Sequence, residues 1–265
     1  MDADDVLMPE DRLKLIDLKE NLDTRYHTVM MKYITGLDIQ GNTAFSYSRE
    51  RLTKRECNIR WKEPVHEFLP TDEPILETDI CIIHGKLNNE KNSVRNLTIY
   101  EEQIKKGNFL SSRGIYYYAR ELKDHERYEE AIRNFELFLD MDIGWVEDKI
   151  IACTELADCY LKIHQDISAL TCYFKSFIYS TPRAETCCQI GYYYQEREDY
   201  KTAAYWFQFI LSLKKPKDVW SFLQDDCWSY VPLIECAVCY DRMGKYKTAL
   251  RYNTKALKVK PDSLQ

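Results

Sequence analysis

The chain is 265 residues long, with 45% hydrophobic and 30% charged residues and a net charge of −6. That length holds one large domain or two of ordinary size, and the balance is that of a folded chain rather than a disordered one. The acidic charge excludes unassisted binding to a nucleic-acid backbone, and no apolar run approaches the roughly 18 residues of a membrane span. Only 8 Gly and 8 Pro point to long regular elements. The acidic start Met1–Val6 is no signal peptide, so ten cysteines read as reduced, buried thiols in a cytoplasmic protein.

Residues 1–110 read as mixed helix and strand. Pro9 opens a helix to about Asp23, with Glu10 and Asp11 in its first turn and Leu13, Leu15, Ile16, Leu18 and Leu22 as its apolar residues. Strand-like segments follow at His27–Thr35, Thr43–Arg51, Val65–Leu69 and Ile80–His84, with the turn of a hairpin over Gly36–Asn42. A second helix is expected from Val94 to Lys106. A Gly-rich strand–loop–helix unit for a nucleotide does not precede these elements.

Three spots in this half carry chemistry. Asp2 and Asp4, with Asp5 beside them, stand before a helix, where two carboxylates can aim at one hard cation or simply cap that helix. Trp61–Glu67 places Glu67 beside His66, and His84 ends an apolar strand, where a histidine is more often structural than a ligand. Arg49, Arg51, Lys54 and Arg55 form a basic run that reads either as a solvated face or as a diphosphate contact.

From Gly114 onward a pattern recurs at spacings of 38, 34 and 46 residues. It is anchored on Ala131, Ala169, Ala203 and Ala249, expected to open a second helix. Four residues later stand Phe135, Tyr173, Phe207 and Asn253. Twelve residues earlier stand Ala119, Ala157, Gly191 and Ala237, where two helices must approach closely. Pro182, Pro216 and Pro261 end second helices, and extra residues lie around Asp218–Ser229. This pattern resembles tetratricopeptide repeats, helix–turn–helix units of about 34 residues. The resemblance implies about four repeats over residues 111–265 and a groove that binds another chain or supports a neighbouring domain. The cysteines and tyrosines at repeat positions read as helix packing, not as zinc ligands or base-stacking platforms.

The segments Asp2–Arg12, Ser48–Arg55, Arg60–Glu67 and Ile82–His84, followed by Val94–Leu97, together resemble the second half of a bacterial family 2 glycosyltransferase of the GT-A fold. In such proteins this domain is followed by tetratricopeptide repeats. The resemblance implies an α/β partial GT-A domain over 1–110 that lacks its nucleotide-binding half, as if the chain were a carboxy-terminal piece with little activity of its own. It implies metal-dependent, inverting transfer of a sugar from a nucleotide-diphosphate sugar to an acceptor protein, peptide or glycan. By the same resemblance Asp4, Asp2 and His84 hold Mn²⁺ or Mg²⁺, Asp2 also contacts the nucleotide sugar, Glu67 is the general base, and Trp61 and His66 line the acceptor side. The alternative is a non-catalytic repeat scaffold with a protein partner in its groove.

Overall fold

A computed structural model describes residues 4–37, 43–71, 73–85, 94–216 and 223–261. The chain divides into two compact units, one reaching Phe109 and the other beginning at Leu110.

The first unit is a four-stranded sheet with two helices. Strand β1 is Asp5–Val6, helix α1 Pro9–Asn21, β2 Thr28–Leu37, β3 Thr43–Thr53, β4 Ile75–His84 and α2 Arg95–Lys105. The sheet order is β1-β4-β2-β3. Strands β2 and β3 run antiparallel from Thr28↔Thr53 to Leu37↔Thr43, β4 joins β2 in parallel from Thr28↔Ile75, and β1 closes the far edge antiparallel, Asp5 opposite His84. Valine, isoleucine, tyrosine and methionine alternate along β2, and Val29, Met31 and Tyr33 point to one face. There they form a core with Ile80 and Ile82 of β4, covered by Leu15 and Leu18 of α1 and by Leu22 at its C-cap. Two contacts fix that helix to β4: Asp11 accepts the Cys81 backbone N–H at 3.1 Å, and Lys14 meets Asp79 at 2.6 Å. Only part of α1's expected apolar side is used, because Leu13 and Ile16 face solvent.

Two further expectations change here. Val65–Leu69 is a loop whose one β-bridge joins Lys62 and Phe68, with Val65 alone buried in it. The hairpin turn expected over Gly36–Asn42 lies largely outside the described residues. The larger correction concerns fold class: the chain is mostly helical, and its sheet is a small mixed one in which two of three strand pairings are antiparallel. That small sheet is a minor part of a mostly helical chain, so the α/β partial GT-A domain expected over 1–110 is not supported.

The second unit is all helical. Its helices pair as α3 Ser112–Asp124 with α4 Tyr128–Asp140, α5 Val146–Lys162 with α6 Asp166–Lys175, α7 Ala184–Glu196 with α8 Tyr200–Ile210, and α9 Tyr230–Arg242 with α10 Tyr246–Val259. The four anchors are buried. Each second helix starts three residues before its anchor, at Tyr128, Asp166, Tyr200 and Tyr246, one turn earlier than the alanines suggested. Gly191 shows why the first helix needs a small residue: a Cβ there would lie 2.6 Å from the Phe207 ring.

Each intrapair turn also contains one left-handed residue five positions before the anchor. These are Glu126, His164, Glu198 and Gly244, with φ between 59° and 70°. Only the last is the residue type that adopts this conformation without strain. A 3₁₀ turn at Asp225–Trp228 lies in the insertion before α9. All ten cysteines are free thiols, and the eight at or beyond Cys153 are buried.

Candidate functional site

One polar cluster takes a residue from every strand of the sheet. Gly85 gives its backbone N–H to the Asp4 carbonyl at 2.9 Å, and a Cβ on Gly85 would lie 2.5 Å from that oxygen. This close approach brings β1 against the end of β4. Asp5 is fully buried there and accepts the Tyr33 hydroxyl at 2.8 Å, while the same hydroxyl lies 2.8 Å from Nδ1 of His84. Nδ1 of His84 is 3.4 Å from Asp5 and 3.7 Å from half-exposed Asp4. Arg51 of β3 completes the set: it is 3.4 Å from the second Asp5 oxygen, and its guanidinium lies 4.2 Å from the centre of the Tyr33 ring. Burial, with the Asp5 carboxylate beside it, pushes the Tyr33 phenol above its ordinary pKa.

Of the expected metal ligands, Asp4 and His84 meet, and Asp5 joins them; Asp2 lies outside the described residues. The ligating atoms of Asp4, Asp5 and His84 fall within 4.8 Å of one another. Two carboxylates and one imidazole nitrogen form a set that suits Mn²⁺ or Mg²⁺, with solvent filling the remaining positions. Glu67, Trp61 and His66 do not enter the cluster. All three are exposed, and His66 sits at a left-handed φ of 54°. Their loop approaches it through main chain: the Glu67 carbonyl accepts from Arg49 at 3.4 Å, and Arg49 lies 5.8 Å from the Tyr33 ring.

Sequence reading missed Tyr33 and read Arg51 as part of a basic run, either a solvated face or a diphosphate contact. Period-two alternation carried a signal for Tyr33, whereas Arg51 falls at a register shift of β3 between Glu50 and Leu52. Tyr33 follows Val29 and Met31 on the buried face of β2, where Tyr47 of β3 packs edge-on against it at 5.6 Å.

The helical unit offers a second site. Its first helices form a row joined by polar contacts. Arg113 of α3 lies 3.7 Å from Asp148 of α5, Arg120 lies 3.8 Å from Glu155, and Lys123 meets both Glu155 and Asp158. Arg183, just before α7, pairs at 2.6 Å with Glu147 of α5. Tyr192 and Gln195 of α7 both bond Glu235 of α9, at 3.3 and 2.9 Å. Burial pushes the Asp148 carboxyl up to about 6, against the pull of Arg113 and Arg120. Arg120 lies 5.7 Å from the rings of both Tyr116 and Tyr117. The row thus alternates cations, carboxylates and amides beside aromatic rings, equipped for backbone and charged side chains of another polypeptide.

No family model and no curated protein matches this chain. Solved structures do. The C-terminal part of a TPR repeat-containing protein from Cytophaga hutchinsonii aligns at TM-score 0.51 and 16% identity, over 63% of this chain and 59% of that one. BtubC from P. vanneervenii aligns at 0.50 and 14%, over 62% and 71%.

The helical unit has the tetratricopeptide-repeat fold.

The resemblance read from the repeated alanines and aromatics therefore holds for the TPR half. The expectation of an enzyme is corrected: the structural matches are to repeat proteins, none of these findings supports a glycosyltransferase, and Glu67 stands on an exposed loop away from the cluster. Among the described residues no helix is long and apolar enough to cross a membrane.

Proposed function

We propose that this protein is a TPR interaction scaffold that holds a segment of a partner protein along the row of first helices. The observation that supports the reading best is the half-buried ladder of Arg120, Lys123, Glu155 and Asp158, polar side chains aligned across two successive first helices. Ion pairs that stay in contact with solvent contribute only about 0–1 kcal/mol each to stability, so packing alone gives a weak reason for this ladder. As a binding surface the ladder supplies hydrogen-bond donors and acceptors at fixed spacing on rigid helices, which reduces the entropy lost on association. The test is selection of binding peptides from a displayed library on the full chain, followed by titration against R120A/E155A. The reading expects at least a tenfold loss of affinity in that variant. Unchanged affinity for every selected peptide would place the site elsewhere.

The Asp4–Asp5–His84 geometry favours a second, separate reading, a divalent cation on the sheet unit. Arg51 already offsets the charge of Asp5 and Tyr33 occupies His84 Nδ1, so binding is expected to be weak. Mn²⁺ titration followed by electron paramagnetic resonance should show one site that D4N and H84A each weaken at least tenfold. Equal binding in wild type and H84A would dismiss it.

A further inference from the structure

The last helix pair presents a face that the inner pairs do not. One residue after each anchor stand Ile132, Leu170, Ala204 and Leu250. Ile132 and Ala204 are buried and Leu170 is half-buried, whereas Leu250 is 67% exposed. At Ala204 the reason is plain: the first helix of the next pair lies on it, with Cys236 Sγ 4.0 Å from the Ala204 carbonyl. Tyr246 stands one turn before Leu250 on the same side of α10, and it is 68% exposed.

Charge distinguishes this face further. From Lys245 to Lys260 the chain carries six basic residues and no acidic one, within a protein of net charge −6. Lys260 is tied to Asp226. Among the described residues, however, Lys247, Arg251, Lys255 and Lys258 meet no carboxylate at ion-pair distance. Arg251 and Lys255 lie instead 5.6 Å from the ring of Tyr252, which stacks on Tyr240 of α9. At 100° per residue, Lys247, Arg251 and Lys258 form a stripe alongside Tyr246 and Leu250.

We infer that α10 is the docking face for an acidic amphipathic helix of a partner protein, which lies across Tyr246 and Leu250 as α9 lies across Ala204. The fold supplies the reason for a helix, because the equivalent inner surface is covered by one. The four unpaired cations supply the reason for acidic residues on it, since complementary charge both steers the encounter and fixes the register. A second copy of this chain is disfavoured by the same charges: a two-fold contact of α10 on α10 would set Arg and Lys against Arg and Lys. This inference concerns a different surface from the first-helix row and stands or falls independently of it.

The test uses two synthetic 20-residue peptides patterned on the Tyr230–Arg242 helix. One carries Glu and the other Lys at the positions facing Lys247, Arg251 and Lys258. Fluorescence anisotropy on the full chain should show the Glu peptide binding at least tenfold tighter than the Lys peptide. L250E should weaken it at least tenfold, and R251E/K258E should reverse the preference. All three positions are exposed, and circular dichroism checks that the variants fold. The inference is overturned if the two peptides bind alike, if neither binds, or if the substitutions leave binding unchanged. It is overturned equally if the wild type, but not L250E, dimerises by light scattering. Sedimentation of the wild type with phosphatidylglycerol vesicles, without peptide binding, would assign the face to a membrane surface instead.

Discussion

In the helical unit one packing problem is solved four times, whereas in the sheet unit each contact is made once. Ala119, Ala157, Gly191 and Ala237 all sit where one helix crosses its partner, and Phe135, Tyr173 and Phe207 all fill the space beside it. The sheet unit has no second copy of Asp5, Tyr33, Arg51 or His84. Its order depends on a buried ion pair and a shared hydroxyl, interactions that are strongly destabilising when one partner is removed. Repetition distributes stability over many equivalent contacts; the polar cluster concentrates it in four side chains.

Substitutions should separate the two units, and the largest expected effect lies in the repeats. Phe207→Ala removes the ring packed against Gly191 and Tyr192 and should cost about 3–5 kcal/mol. In hydrogen exchange, α7 and α8 should lose protection while β2 keeps it. Equal loss in β2 would mean that the units are not separate in stability. Next, Arg51→Met leaves Asp5 buried without its cation and should cost roughly 3 kcal/mol, partly recovered in the double variant with Asp5→Asn. A loss below about 1 kcal/mol would show that Tyr33 and His84 suffice.

Asp148 gives a smaller, pH-dependent effect. Its folded pKa of about 6 lies above its ordinary value of 3.8, so the folded state holds the proton more tightly than the unfolded one. Its contribution is therefore fully present below pH 3.8 and is lost as pH rises through 6. Asp148→Asn lacks that slope, and by pH 7.5 urea unfolding should show the variant gaining roughly 1–3 kcal/mol on the wild type relative to pH 4. A constant difference across that range would refute the assignment. The smallest effect is a gain: Glu198→Gly relieves a left-handed residue and should raise stability by up to about 1 kcal/mol.

The same contrast explains what could be read in advance. Four copies of a small residue twelve positions before an anchor announce helix crossings, because no other feature demands that spacing. The fourfold left-handed turn escaped notice because glutamate, histidine and glutamate precede the single glycine, and the residue type gives no warning. In the sheet unit, Asp4 and His84 were recognisable as possible ligands, but their partners were not. Tyr33 looks like one more core aromatic, and Arg51 like one more member of a basic run, until the structure sets the guanidinium over the ring. The transferase reading failed for a related reason: short segments matched in order, but such matches do not determine how the elements between them fold and pack.

The central claim is that the first helices of the repeats form the surface that meets a partner. Hydrogen exchange of the full chain with and without a selected peptide tests it directly. The account predicts new protection along α3 and α5, centred on Arg120 and Glu155, extending to α7 and α9. Protection confined to the sheet unit, or to the second helices α4, α6 and α8, would contradict it.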